Sequence, residues 1–357
     1  MKRIFCCLIL FAGITSVSTA HVRGNNTKER KVKALYLSTP TVSNVDSLQH
    51  FIYLARHSVI NSYVIDIKGI DGLVTYESKI PDVRNLKAWT ADLDIKKVIN
   101  VFHQNHIYVI GRIACFNDPY LPTQKNEWAV KDNHGNLYAS ANGETWLSPA
   151  NIEVWKYLVD IAKEALAKGV DEIQFDYVRF PFAGDTLDFG EKVKVRHEAI
   201  DAFLAYARKE MPKAVLSADV FGIICESVND PENIGQNIEF AGRNLNYISP
   251  MTYPSLYAKG QHINNITFPI PDLDPYGVVY NSLVRAKDRI AKVKGYSAKL
   301  RPYLQSYTAS WLSKGDFQTY GVDQLRLQIK AAIEAGCDQW IFWNEENRYP
   351  EAAFEMK

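Results

Sequence analysis

The stretch Asp171-Glu172-Ile173-Gln174-Phe175-Asp176-Tyr177-Val178-Arg179-Phe180-Pro181 decides how the rest of the chain reads. Ile173 and Phe175 alternate with Gln174 and Asp176, the period of a strand, and Pro181 ends the run. One face is apolar and the other carries polar side chains. In an open sheet that polar face meets water. In a closed parallel barrel it points to the centre, and Asp176 then stands at the strand end where barrel enzymes keep their chemistry.

Outward from this stretch, strands and helices alternate. Strands are expected at 32–38, 62–68, 107–116, 214–221, 246–253, 300–307 and 339–344. Helices fall between them at 47–57, 92–105, 150–168, 191–210, 231–242, 277–294 and 324–335, with Asp92 as an N-cap and Gly169 and Gly336 as stops. A long excursion, 117–149, follows the third strand. With the opening stretch as strand four, eight strands joined by helices predict an α/β fold, a (β/α)8 TIM barrel in a single domain from residue 32 to 357. A doubly wound open sheet gives the same alternation. There is no internal repeat and no low-complexity segment.

The first residues have the pattern of an export signal. Lys2 and Arg3 precede an apolar run from Ile4 to Ile14, and Ser18-Thr19-Ala20 offers a small-residue cleavage site. The expectation is a signal peptide over 1–20, a disordered tail over 21–31, and a periplasmic or secreted protein. No other stretch approaches the ~20 apolar residues of a membrane span. Without Lys2 and Arg3 the chain holds 39 basic and 40 acidic residues. That balance leaves no electrostatic footprint for nucleic acid. Cys115, Cys225 and Cys337 lie in apolar contexts, which fits buried thiols or one bridge at most.

Polar residues collect at the predicted strand ends: Asp66 and Lys68 on strand two, Arg112 on three, Asp176 on four, Asp219 on five, Tyr253 on six. Gln305 and Tyr307 end strand seven, Trp343 and Asn344 strand eight, and Glu226 follows strand five. Tyr36 on strand one and Arg179 after strand four join the candidate binding set. For Asp66, Lys68, Arg112 and Asp176 the structural alternative is a self-satisfied ion-pair set. Burying so many charges at one end is costly, however, and costly groups mark sites. Trp128, Tyr138 and Trp146 in the excursion, with Tyr120 and Tyr257 in other loops, offer flat faces for sugar rings or ordinary packing.

Absences narrow the chemistry. None of the eight histidines falls at a predicted strand end, which disfavours a metal-dependent amidohydrolase site. No Gly-rich phosphate cradle follows strand seven or eight, and no Gly-x-Ser-x-Gly elbow occurs. No metal and no cofactor is expected. Inward carboxylates with aromatic loops point to glycoside chemistry, where two carboxyl groups suffice.

Four motifs carry a resemblance. Phe175-Asp176-Tyr177-Val178-Arg179-Phe180-Pro181, Ser217-Ala218-Asp219-Val220-Phe221-Gly222, Ser249-Pro250-Met251-Thr252-Tyr253-Pro254-Ser255 and Leu300-Arg301-Pro302-Tyr303-Leu304-Gln305 occur in order. Together they resemble the signature of a family of inferred glycoside hydrolases with a TIM-barrel domain, formerly a domain of unknown function. The similarity runs from about Lys33 to Tyr349. It implies the barrel and a place among the barrel glycosidases, but no substrate. The chain departs from the family at Ser306, where an acidic residue is frequent, and at Glu345 and Glu346, where small residues are usual.

The resemblance to barrel glycosidases makes Asp176 the expected nucleophile. Asp219 on the neighbouring strand is the first choice for acid/base and Glu226 the second. Neighbouring strands lie ~4.8 Å apart, compatible with the ~5–5.5 Å carboxyl separation of retaining enzymes. Lys68 and Arg112 are expected to hold Asp176 ionised, while a more apolar setting raises the pKa of the acid. The competing functions are a non-catalytic carbohydrate-binding barrel and, third, a scaffold that has lost its site. A carbohydrate is the expected partner in the first two, and the oligomeric state is left open.

Overall fold

A computed structural model describes residues 30–182, 187–188 and 195–355. The signal-peptide expectation and nearly all of the tail lie outside the described residues. Residues 31–357 make one compact unit. Its strands are β1 (Lys33–Leu37), β2 (Ser62–Lys68), β3 (Tyr108–Ala114), β4 (Glu172–Asp176), β5 (Val215–Phe221), β6 (Tyr247–Met251), β7 (Tyr303–Gln305) and β8 (Trp340–Trp343). Each pairs in parallel with its neighbours in chain order, and β8 pairs with β1, closing the barrel. The fold is the predicted (β/α)8 barrel.

The connecting helices are α1 (Val45–His57), α2 (Ile95–Gln104), α3 (Ile152–Ala167), α4 (Arg196–Glu210), the one-turn α5 (Ile238–Ala241), α6 (Pro275–Ile290) and α7 (Val322–Glu334). Their apolar stripes close over the outward-facing strand residues. α3 shows the rule: Val154, Leu158, Ile161 and Ala165 recur at helical spacing and are all fully buried. Asn151 caps its start by accepting from the Glu153 N–H, and Gly169, at φ +110°, stops it. Phe175 of β4 lies edge-on to Phe203 of α4 at 5.2 Å. Burying such a ring contributes about 2–3 kcal/mol.

Three expectations fail locally. Residues 231–242 do not form one helix: only Ile238–Ala241 does. Asp230 captures the Ile234 and Gly235 N–H groups with its carboxylate, and Asn233 and Gly235 take positive φ, so the backbone turns instead. Strand seven is split into Lys299–Leu300 and Tyr303–Gln305 at Pro302, which has no N–H for the ladder. The cap of α2 is Asp94, not Asp92. The 254–275 loop also contains a hairpin, Gln261–Ile263 with Ile266–Phe268, turned by Asn264 and Asn265 at positive φ.

Among the described residues, no helix is long and apolar enough to cross a membrane. All three described cysteines are buried free thiols.

Candidate active site

β4 turns three acidic or polar residues, Glu172, Gln174 and Asp176, toward the barrel centre, one per two-residue step. They define three levels. At the bottom, Glu172 pairs with Arg301, both fully buried, and accepts from Ser217 Oγ at 2.5 Å. In the middle, Tyr303 donates to Gln174 Oε1 at 2.9 Å, and Gln174 Nε2 reaches Ser249 Oγ at 3.4 Å. Asp176 belongs to the top.

The top level is crowded with carboxylates. Arg112 donates to Asp176 Oδ2 from Nε at 2.8 Å and pairs with the same oxygen from Nη2 at 2.7 Å. Its Nη1 binds Asp66 Oδ1 at 2.6 Å, and Tyr36 donates its hydroxyl to Asp66 Oδ2 at 2.6 Å. Burial disfavours the Arg112 charge, but Asp176 and Asp66 more than offset this and push its pKa up. The Tyr36 hydroxyl is pushed up as well, first by burial and then by Asp66.

Asp219 stands differently. The strand register sets Phe175 opposite Ala218, so Asp176 and Asp219 are the next neighbours across β4 and β5. Asp219 is 1% exposed, and its Oδ1 is buried with no hydrogen-bond partner. Burial pushes its carboxyl well above the ordinary range, repulsion from Asp176 adds to that, and Arg112 only partly opposes it. Both causes favour the protonated form of the Asp219 carboxyl.

The backbone leaves β4 through Tyr177 at φ +49°, a left-handed conformation that costs a non-glycine residue about 1 kcal/mol. The turn brings the Tyr177 N–H to 2.6 Å from Asp176 Oδ1. Both oxygens of Asp176 are thus anchored, one by Arg112 and one by the backbone.

A cavity of about 270 Å³ opens above the pair, lined by Asp176 and Asp219 together with Glu144, Tyr177, Arg179, Phe221, Gln236, Met251, Leu256, Tyr253, Tyr303 and Trp343. Arg179 lies 4.5 Å from the Trp146 ring, 4.9 Å from Phe221 and 5.0 Å from Phe182. Burial pushes its guanidinium down to about 10, with Tyr177, Asp176 and Glu144 pulling the other way. Glu144, Tyr177, Phe221, Gln236 and Tyr303 were not singled out from the sequence. Glu144 is an exposed loop residue whose place at the rim no local pattern announces; Tyr177, beside the key aspartate, had the clearest signal.

Other expected residues lie elsewhere. Lys68 does not reach Asp176: the register slips between Asp66 and Lys68, and Nζ pairs with Asp118 at 2.8 Å and the Ala114 carbonyl at 2.9 Å. Trp128 and Trp146, 2% and 1% exposed, are packed in the core, so neither offers a face to a ligand in the cavity. Gln305 is fully buried, bonded to the Ser255 N–H, Asp272 and the Tyr307 carbonyl. Asn344 spends its amide on the Ser306 and Arg348 carbonyls. Glu226 does not line the cavity; it accepts from the Asn264 N–H at 2.9 Å and lies 3.5 Å from Arg285. Tyr120 and Tyr257 use their hydroxyls on Leu86 and Ser282. Tyr36 sits beneath the site, stacked on Trp343 at 4.0 Å.

Among the described residues, no group of three or more His, Cys, Asp and Glu is arranged to hold a metal ion. What the top level offers is an anchored, ion-paired carboxylate beside a buried carboxyl whose pKa is pushed up, in a partly aromatic cavity. Such a pair can attack a carbon and protonate its leaving group.

Comparison with known proteins adds to this. A family model described as "putative glycosyl hydrolase domain" matches residues 34–349. No curated protein matches the chain. A solved structure of a hypothetical protein from Ruminiclostridium thermocellum is 50% identical, covering 52% of this chain and 97% of that one, with a TM-score of 0.50. The PgaB (BpsB) glycoside hydrolase domain from Bordetella bronchiseptica shares the fold at 14% identity and TM-score 0.65, over 92% of this chain and 100% of that one. An α-galactosidase from Thermus thermophilus does so at 11% identity and TM-score 0.51, over 89% and 59%.

Proposed function

Because the chain belongs to this glycosyl hydrolase family, we propose that it cleaves a poly- or oligosaccharide with Asp176 and Asp219, by a retaining mechanism. The observation that supports this most is the buried, unpartnered Asp219 oxygen beside the anchored Asp176 carboxylate, a setting in which burial pushes the Asp219 pKa up. The raised pKa of Asp219 suits it as the acid, and the two-sided anchoring of Asp176 suits it as the nucleophile.

In the first step Asp176 attacks the anomeric carbon, and the bond to the leaving oxygen breaks. Asp219 gives that oxygen its proton and is left as a carboxylate. In the second step Asp219 takes a proton from water, whose oxygen displaces Asp176 and restores both groups. Arg112 and the Tyr177 N–H fix the attacking carboxylate in orientation. Trp343 and Tyr253 supply apolar faces for a sugar ring. Arg179 and Gln236 supply donors.

The same reading takes the protein to be exported, on the strength of the signal-like pattern in residues 1–20, to act on a glycan outside the cytoplasm. Purified protein incubated with a panel of polysaccharides is expected to release reducing ends, and Asp176→Asn to abolish the release. Full activity in Asp176→Asn rules the assignment out. Glycan binding without release favours the non-catalytic barrel instead.

A further inference from the structure

Two grooves adjoin the cavity that holds the carboxyl pair. The central cavity shares Tyr253, Leu256 and Trp343 with a groove of about 680 Å³, and Phe221, Met251 and Leu256 with another of about 400 Å³. Leu256, 58% exposed, lines all three. Each groove carries a stacked aromatic pair.

In the larger groove Tyr307 stacks on Trp311 at 5.6 Å and 30°. In the smaller one Phe182 stacks on Phe221 at 5.7 Å and 18°. Trp311 is 63% exposed, whereas none of the other six tryptophans is classed as exposed. An exposed tryptophan face backed by a second ring is a flat surface of the kind that stacks on the C–H face of a sugar. The polar groups beside it suit a hydroxylated partner: Thr308, Ser310, Glu345 and Arg348 line the groove. Ser306, 3% exposed, lines it too, and its Oγ has no partner.

We propose that the top of the barrel is one through-running cleft that takes an internal stretch of a polysaccharide, with Trp311 on Tyr307 as a sugar platform to one side of the carboxyl pair. Cleavage is then endo, within the chain and not at its end. The inference rests on the hydrolase reading above, but its geometric half, the cleft, stands apart from catalysis. A pocket for terminal sugars is closed around its end; here two grooves with exposed aromatic faces adjoin the central cavity through shared lining residues.

The test uses soluble β-glucan, xylan, galactomannan, chitosan and alginate as probes, with wild-type protein and Trp311→Ala. Trp311 is exposed, so the variant is expected to fold, and a thermal melt checks this. Native gels containing each polymer read binding, and product sizing over time reads cleavage. The expected result is retardation by at least one polymer, weakened about tenfold in Trp311→Ala, with early products spread over many chain lengths. A single short product from the first time point overturns the cleft and leaves the hydrolase standing. Retardation that depends on Trp311 without any product supports the cleft and overturns the hydrolase. Retardation indifferent to Trp311 overturns the platform, and neither binding nor cleavage on any polymer overturns both.

Discussion

Glu172 and Asp176 lie on the same face of the same strand, yet they meet opposite circumstances. At the bottom Glu172 has Arg301 to itself, both fully buried. At the top Arg112 serves Asp66 and Asp176 together, and Asp219 beside them has an oxygen with no partner. One cation to one carboxylate makes a closed pair that holds strands together. With one cation among three carboxyl groups, burial and then repulsion from Asp176 push up the pKa of the most buried of them, Asp219. The residue types are alike; the charge ratio and the opening to a cavity decide which level is structural and which is reactive.

The comparison breaks most visibly at Asp176. Asp176→Asn keeps the shape and one accepting oxygen, but its amide nitrogen then faces the other of the two donors, Arg112 or the Tyr177 N–H; stability is expected to fall by about 1–3 kcal/mol and kcat by at least about 10³-fold. A reducing-end assay on the polysaccharide that wild type degrades reads the loss. Asp219→Asn removes the acid: kcat is expected to fall about 10²–10⁴-fold, least for substrates with good leaving groups, and the alkaline limb of the pH–rate profile is expected to vanish.

At the bottom the same change should act on stability alone. Glu172→Gln leaves Arg301 buried without its counter-charge, a cost of about 3–5 kcal/mol. Denaturant unfolding is expected to show that loss, and the enzyme that remains folded is expected to keep its kcat. A large fall in kcat would erase the distinction between the two levels.

A smaller effect sharpens the top. The folded-state pKa of Asp219 is raised, so the folded protein keeps a proton that the unfolded chain loses above about pH 4. Its contribution to stability is full below that value and is lost as pH rises through the folded pKa. Thermal melts of wild type are therefore expected to fall away from those of Asp219→Asn as pH increases. Glu226→Gln, outside the cavity, is expected to change activity little and stability by no more than about 0.5 kcal/mol.

The barrel was legible because strand alternation and helix stops are local signals. Pro302 and the Asp230 turn escaped because one backbone N–H, missing or captured, redirects a segment whose side chains still look regular. At the site, Asp176, Asp219, Arg112 and Tyr253 could be placed by counting to strand ends. Lys68 could not, since a register slip moves it to Asp118. The loop aromatics were the least legible. Trp128 and Trp146 turn inward and Trp311 outward, and nothing in their neighbours' sequence says which.

The proposed mechanism requires a carboxyl group that keeps its proton beside one that is ion-paired. Carbon-13 NMR of aspartate-labelled protein, with the Asp219 signal assigned by its loss in Asp219→Asn, measures this without knowledge of the sugar. The expected result is an Asp219 signal that stays protonated well above the usual range near pH 4 and titrates lower in Asp176→Asn. An Asp219 that titrates as an ordinary aspartate, indifferent to Asp176, would contradict the account.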